Sequence, residues 1–289
     1  MNTKTKSALP DVHSVVTNQF IEDLEKGIIP WHTWWTEHPV YINGWPVDHI
    51  NVWLLANLCY PRNVFLNALQ MTRFKTRKKE RGEKGHTIVR IRHGNILPTL
   101  YCSEVYNIEQ LEGLCGDEIP ARRVISSPTK KCADLLAEMP KFPKIVWENS
   151  PAHYSLKTDT IVMPEEECFE NVIQYYSSLF YGLAQSTAHG KRRKRDTAVD
   201  RKLTDPKTYS CEELITEMTA SYLCSFTGIT PWYLTTYHND AHGWLRKLQT
   251  DTTLAITAAM YAQEAVNYIL NRSKLANLIQ TGVYVPEKQ

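Results

Sequence analysis

Two patterns in this 289-residue chain have the residue types and the spacing to do chemistry. The first is a run of cations beside a run of aromatics. Between Arg73 and Arg92 stand nine basic residues, Arg73, Lys75, Arg77, Lys78, Lys79, Arg81, Lys84, Arg90 and Arg92, against Glu80 and Glu83. Five of the eight tryptophans, Trp31, Trp34, Trp35, Trp45 and Trp53, fall between positions 31 and 53. Cations that follow phosphates and flat side chains that accept unpaired bases are what weakly selective single-stranded nucleic-acid binding requires, at ~1–3 kcal/mol per stacked base. WHTWW lies in a loop-like segment beside Pro30, His32 and His38, where the side chains cannot all point inward. Trp31, Trp34 and Trp35 are therefore candidate stacking residues, with the nine cations as phosphate contacts. The competing reading makes the tryptophans a small domain's core and the charges a solvated face. Gly82 and Gly85 would let the backbone turn there and approach a ligand closely.

The second pattern is His238-Asn-Asp-Ala-His242, two imidazoles at i and i+4. On a helix they would share a face and could bind a metal with Asp240 or a distant glutamate, although this spacing is common and no zinc-site pattern surrounds it. A second basic run, Lys191 to Arg195, with Arg201, Lys202 and Lys207 beyond it, reads either as a solvated loop or as a further nucleic-acid contact. The seven cysteines form no CxxC pair, which argues against a disulfide framework or a cysteine zinc ribbon and for a reducing cytoplasm. Net charge is +2, hydrophobic residues are 43% and charged residues 22%, a globular balance. No apolar stretch approaches a membrane span and the N-terminus lacks a signal-like apolar region, so no membrane partner is expected.

The elements that must position these residues follow from periodicity. Residues 11–27 read as an amphipathic helix capped by Asp11 and stopped by Gly27. Helices are expected over 51–59 and 63–74, then a strand through Thr87–Ile91 paired with one over 100–108. GDEIPARRVISSPTK, with two prolines and two serines, reads as a linker. A short helix at 133–139, strands in KIVWE and in HYSLKTDTIVMP, and helices over 166–188, 211–226, 238–249 and 252–281 complete the chain. The expected class is α+β in two domains: 1–118, α+β and DNA-binding; a linker at 119–130; and 131–289, mostly helical with a small sheet.

Several segments, in order, resemble the ArdC-type antirestriction proteins of conjugative plasmids and related mobile elements. They are LEKGIIPWHTWW, the N-G-x-P and H-I-N-x-x-L segment (Asn43–Leu54), Arg81-Gly-Glu-Lys-Gly-His-Thr-Ile-Val89 and VYNIEQLEGL (Val105–Leu114). HYSLKTDTIVMP and YSCEELITEMTASYLC extend the resemblance to about residue 272. It implies an N-terminal single-stranded-DNA-binding domain and a C-terminal zincin-like metallopeptidase domain. In that family a helix between the last two segments carries H-E-L-x-H-W-T-G-H. Two histidines at i and i+4 bind zinc, and the glutamate takes a proton from the metal-bound water.

Here the corresponding helix reads Phe180-Tyr181-Gly182-Leu183-Ala184-Gln185-Ser186-Thr187-Ala188-His189. Aligned on Leu183, Thr187 and His189, Tyr181 and Gln185 replace the histidines and Gly182 replaces the general base. Tyrosine and glutamine are poor zinc ligands beside imidazole, and glycine accepts no proton. A mid-helix glycine also costs ~1 kcal/mol relative to alanine. The expected domain is a pseudo-peptidase without catalytic residues and without the family's zinc. Glu213 or Glu217 would correspond to the family's acidic ligand, and Glu213, Glu217 and His189 would be the ligands if any metal remained. Three functions compete: a single-stranded-DNA-binding protein with an inactive zincin-like domain, a metallopeptidase with a rebuilt metal site, and a scaffold binding a protein in the former substrate cleft.

Overall fold

The computed structural model describes residues 11–92, 99–122, 124–150, 152–195 and 210–272. Arg201, Lys202, Lys207 and the end of the helix expected over 252–281 lie outside the described residues. The class is α+β, a sheet-rich N-terminal region followed by a largely helical one. Helix α1 (Val12–Glu25) is capped by the Asp11 carboxylate, which accepts from the Ser14 N–H. It buries Val16, Phe20 and Leu24. A 3-10 turn (Pro30–His32) leads into the aromatic segment, and α2 spans Asn51–Ala56. The helix expected over 63–74 is instead a strand, β2 (Val64–Leu66), followed by α3 (Ala68–Arg73). Val64, Phe65 and Leu66 are all buried, and Asn67 caps α3 through the Gln70 N–H, so a cap residue divides what periodicity read as one helix.

Strand β1 (Val40–Tyr41) runs parallel to β2, and β2 pairs antiparallel with β5 (Thr99–Asn107). Strand β4 (His86–Arg92) pairs with β5 from His86–Val105 to Arg92–Thr99. The sheet order is β1-β2-β5-β4, and β3 (Arg77–Lys78) forms a small ribbon with β6 (Leu111–Glu112). Gly85 meets a neighbour and not a ligand: a Cβ there would lie 2.9 Å from the Glu104 Cβ of β5.

In the second region α4 (Pro128–Glu138) takes the last three residues of the expected linker as its first turn. Strands β7 (Lys144–Trp147), β8 (His153–Ser155) and β9 (Thr160–Met163) form a sheet of order β7-β9-β8. Helix α5 (Val172–Ser186) lies on β8 and β9. Helix α6 (Cys211–Thr227) packs against α5 and against α9 (Leu254–Ile269), with α7 (Trp232–Tyr237) and α8 (Ala241–Thr250) between α6 and α9 in sequence. Ser210 caps α6 through the Glu213 N–H, and Gly228 ends it at φ +82°, a conformation glycine reaches cheaply.

One hydrophobic core crosses the chain. Trp31, Trp35, Trp53 and Phe65 of the first region pack with Leu214, Met218, Trp244 and Ile256 of the second. A second cluster, including Ile161, Phe180, Leu183 and Leu223, fills the space between α5, α6 and the small sheet.

Candidate functional site

The N-cap register of α6 puts Glu213 and Glu217 one turn apart on the same face. Both are buried, Glu217 to 1% exposure. His238, the residue after α7, brings its Nδ1 to 3.4 Å from Glu213 Oε1 and 3.5 Å from Glu217 Oε1. Ligand atoms of these three residues lie within 4.8 Å of one another, a donor set capable of holding a metal ion. From α5 the Tyr181 hydroxyl donates to Glu213 Oε1, and its ring lies 4.7 Å from the His238 ring. From the N-terminal region the Trp31 indole N–H donates to Glu217 Oε2 at 2.7 Å, and His32 Nε2 lies 2.9 Å from the same oxygen.

A buried carboxylate is costly unless charges and hydrogen bonds surround it. Burial pushes the Glu217 carboxyl up, and the hydrogen bonds and charge of His238 and His32 outweigh it, holding the group well below the usual carboxylate range. The cluster therefore keeps an anion in the interior. It also joins the two regions, since Trp31 and His32 are separated from Glu217 by 186 and 185 residues.

Several residues singled out from the sequence stand elsewhere. His189 lies 3.8 Å from Asp159 instead of joining Glu213 and Glu217. His238 and His242 share no helix, because His238 follows α7 while His242 is exposed on α8, whose N-cap is Asp240. One of the pair reaches a metal-capable cluster, but through residues 21 and 25 positions back, a relation that i, i+4 counting cannot register. Gly182 faces β9: a Cβ there would meet Ile161 Cγ2 at 2.9 Å. The glycine thus makes room for a fully buried isoleucine, which accounts for its place in a helix despite its propensity. Gln185 Oε1 is buried without a hydrogen-bond partner among the described residues. Beside Tyr233, whose ring lies 4.8 Å from that of Tyr181, a cavity of about 290 Å³ is lined by Ala152, Phe169, Trp232 and Tyr237.

The tryptophan expectation needs correcting. Trp31 is fully buried, edge-on to Trp244 at 5.3 Å, and Trp35 is buried against Tyr222. Neither ring can stack on a base. Trp34 and Trp45 are exposed, at 42% and 59%. The inward pair has partners about two hundred residues away, so no local pattern announces them.

Arg73, Lys75, Arg77, Lys78, Lys79, Arg81, Lys84 and Arg92 are exposed, and Arg90 is half-buried with its Nε donating to Ser103 Oγ at 2.8 Å. Arg77 pairs with Glu112 at 2.6 Å, while the Lys78 ammonium lies 4.4 Å from the Tyr106 ring centre. The second basic run is divided: Lys191, Arg193 and Lys194 are exposed, while Arg192 and Arg195 are drawn inward. Arg192 pairs with Asp159 and donates to the Tyr154 hydroxyl, Arg195 pairs with Glu212 at 2.9 Å, and Arg193 pairs with Glu264 at 2.7 Å. Neither a solvated loop nor a nucleic-acid contact describes Arg192 or Arg195. No helix among the described residues is long and apolar enough to cross a membrane.

Comparison with known proteins agrees with this architecture. Residues 135–261 match the family described as zincin-like metallopeptidase. The crystal structure of the Mn(II)-bound antirestriction protein ArdC from plasmid R388 superposes with a TM-score of 0.74 at 25% identity, covering 91% of this chain and 98% of that one. Its metal-free structure gives 0.71, again at 25% identity, over 92% and 98% of the two chains. The uncharacterised protein y4eC of Sinorhizobium fredii is 23% identical over 92% of this chain and 94% of its own length. The DNA primase TraC of Escherichia coli is 26% identical over 60% of this chain but only 16% of the primase.

Proposed function

The chain belongs to the ArdC-type antirestriction proteins with a zincin-like metallopeptidase domain, and on that premise we propose that it binds single-stranded DNA through its N-terminal region while its zincin-like domain no longer cuts peptide bonds. The observation that carries the first half is the exposed strip from Arg73 to Arg92, where eight cations face solvent around β3 and β4. Like charges at that density repel one another and are relieved by a polyanion. Partial kinship to a DNA primase fits the same class of partner. Fluorescence anisotropy with a labelled oligonucleotide tests it: single strands bind more tightly than duplex of equal length. Equal affinity for the two forms would reduce the strip to a generic cation patch.

The second half rests on α5. At the positions aligned with the family's two histidines and glutamate stand Tyr181, Gln185 and Gly182. Gly182 offers no base, and Ile161 occupies the space a side chain there would need. Tyr181 donates its proton to Glu213, and neither Trp31 nor His32 leaves Glu217 Oε2 open to a substrate water. Nothing on this helix can deprotonate a nucleophile by the HExxH route.

A second reading has one specific observation behind it. The mutual distances of His238, Glu213 and Glu217 suit a divalent cation held by one imidazole and two carboxylates, a donor set compatible with zinc or manganese. On this reading the site keeps an ion as a cross-link and still lacks a hydrolytic base. Thermal melts of chelator-treated protein with and without Mn(II) or Zn(II) decide it. A metal-dependent rise in Tm that Glu213→Gln abolishes supports the cation site. An unchanged Tm leaves the cluster as an ion-paired core.

A further inference from the structure

A cavity of about 280 Å³ opens where the N-terminal sheet meets α9, with Tyr41, His49, Asn51, Arg90, Tyr101 and Met260 in its wall. Its framework is fixed. The Asn51 side chain accepts from the Val89 N–H at 2.7 Å and donates to the Val89 carbonyl at 2.8 Å, tying the start of α2 to β4. His49 adopts φ +52°, uncommon for a residue with a Cβ, and its N–H donates to Gln263 Oε1 of α9 at 3.0 Å. Two stretches of the chain meet there, His49-Ile50-Asn51 at the start of α2 and Val89-Arg90-Ile91 of β4. The core explains Ile50 and Ile88, but it does not explain two tyrosines and an arginine around an opening.

The chemistry of the wall is that of a nucleotide site. Tyr41 and Tyr101 are half-buried rings, and the Arg92 guanidinium lies over the Tyr101 ring, 4.8 Å from its centre. Ile91 and Met260, 43% and 44% exposed, give the apolar walls that a base prefers to water. Asp48, beside His49, is a carboxylate able to accept from a ring N–H of a base. Arg90 and Arg92 lie at the end of the exposed cationic strip, so a strand following the strip reaches this opening. The volume is at the small end for ligand pockets, suited to one base and its sugar.

We propose that this cavity receives one unpaired base of the bound strand, with Tyr101 as the stacking surface and Arg90 and Arg92 on the adjoining phosphates. It rests on the single-stranded-DNA reading above and replaces Trp31 and Trp35 as the source of stacking. The test is equilibrium anisotropy of a labelled oligothymidylate with the full chain and three variants. Tyr101→Ala weakens binding about tenfold, Tyr101→Phe stays within about twofold, and neither changes the salt slope, because no cation is removed. Met260→Glu, on an exposed helix position, weakens binding by a similar factor and decides the matter if Tyr101→Ala does not fold. Parental affinity in Tyr101→Ala and Met260→Glu, alongside weakened binding in Lys78→Ala/Lys79→Ala, overturns the cavity and leaves the DNA reading standing. No binding of oligothymidylate by the parent overturns both.

Discussion

The two basic runs differ in what meets their cations. From Arg73 to Arg92 the cations point outward, with Glu112 and the Tyr106 ring as modest partners. From Lys191 to Arg195 the chain is drawn in by Asp159, Glu212 and Glu264. What separates them is the location of the counter-charge. Asp159 and Glu264 are 33 and 71 residues from the arginines they hold. A charge run therefore says how many partners are needed and nothing about where they are. The first run has fewer of them among the described residues, and that shortage carries the functional argument.

The largest expected effect comes from breaking the inward run. Arg192 is 1% exposed in its side chain and binds Asp159, the Tyr154 hydroxyl and the carbonyls of Ser186 and Lys141. Arg192→Met leaves the half-buried Asp159 with Lys191 and the Tyr154 hydroxyl, empties the place of a buried guanidinium, and costs about 3 kcal/mol in urea unfolding. DNA affinity stays at the parental value. A reduced salt slope in that variant would mean that the second run also meets phosphates, and the contrast would collapse.

Acid sharpens the same point. Burial raises the Asp159 carboxyl, but hydrogen bonds from Arg192, Tyr154 and Lys191 outweigh it and bring the group to about 2. An ordinary aspartate titrates near 3.9. The folded state thus gains stability that is complete above the unfolded value and disappears as pH falls toward 2, up to about 2 kcal/mol. Glu217, also held low, adds a loss of the same sign. Urea unfolding at stepwise lower pH follows the decline, and Arg192→Met flattens it. An equally steep decline in the variant would assign the acid sensitivity to other carboxylates.

The smallest effect on stability belongs to the outward run. Lys78→Ala/Lys79→Ala changes unfolding free energy by less than about 0.5 kcal/mol, as exposed substitutions do. The salt dependence of single-strand binding falls by up to about two counterions. A large loss of stability would mean that the strip is part of the fold and not a binding face.

Local signals were legible in the sequence wherever neighbours in the chain set the structure. Asp11 and Gly27 bracketed α1, the Thr87–Ile91 alternation marked β4, and the HYSLKTDTIVMP turn divided β8 from β9. The misreadings share a cause, which is long-range pairing. Val64–Leu66 became a strand because β1 and β5 flank it, although its own periodicity fits a helix. Trp31 and His32 turned inward because Glu217 required donors, and His238 joined Glu213 and Glu217 through the course of the chain after α6. Glu213 and Glu217 stood in the sequence as alternatives for one acidic ligand, and the structure brings both beside His238. Gly182 was read as a deleted base, and its contact with Ile161 adds a packing reason that no single sequence can display.

The Trp31–Glu217 hydrogen bond has a consequence for how such a protein can be inherited. A gene fragment encoding only the second region would leave a buried anion without its indole and imidazole donors, and the faces of α6, α8 and α9 without the side chains that cover them. A fragment encoding only the first would lose the wall against which Trp31 and Trp53 are buried. Recombination can exchange the cationic strip, since it does not form that seam. The seam itself has to pass on whole, so the two halves travel as one unit.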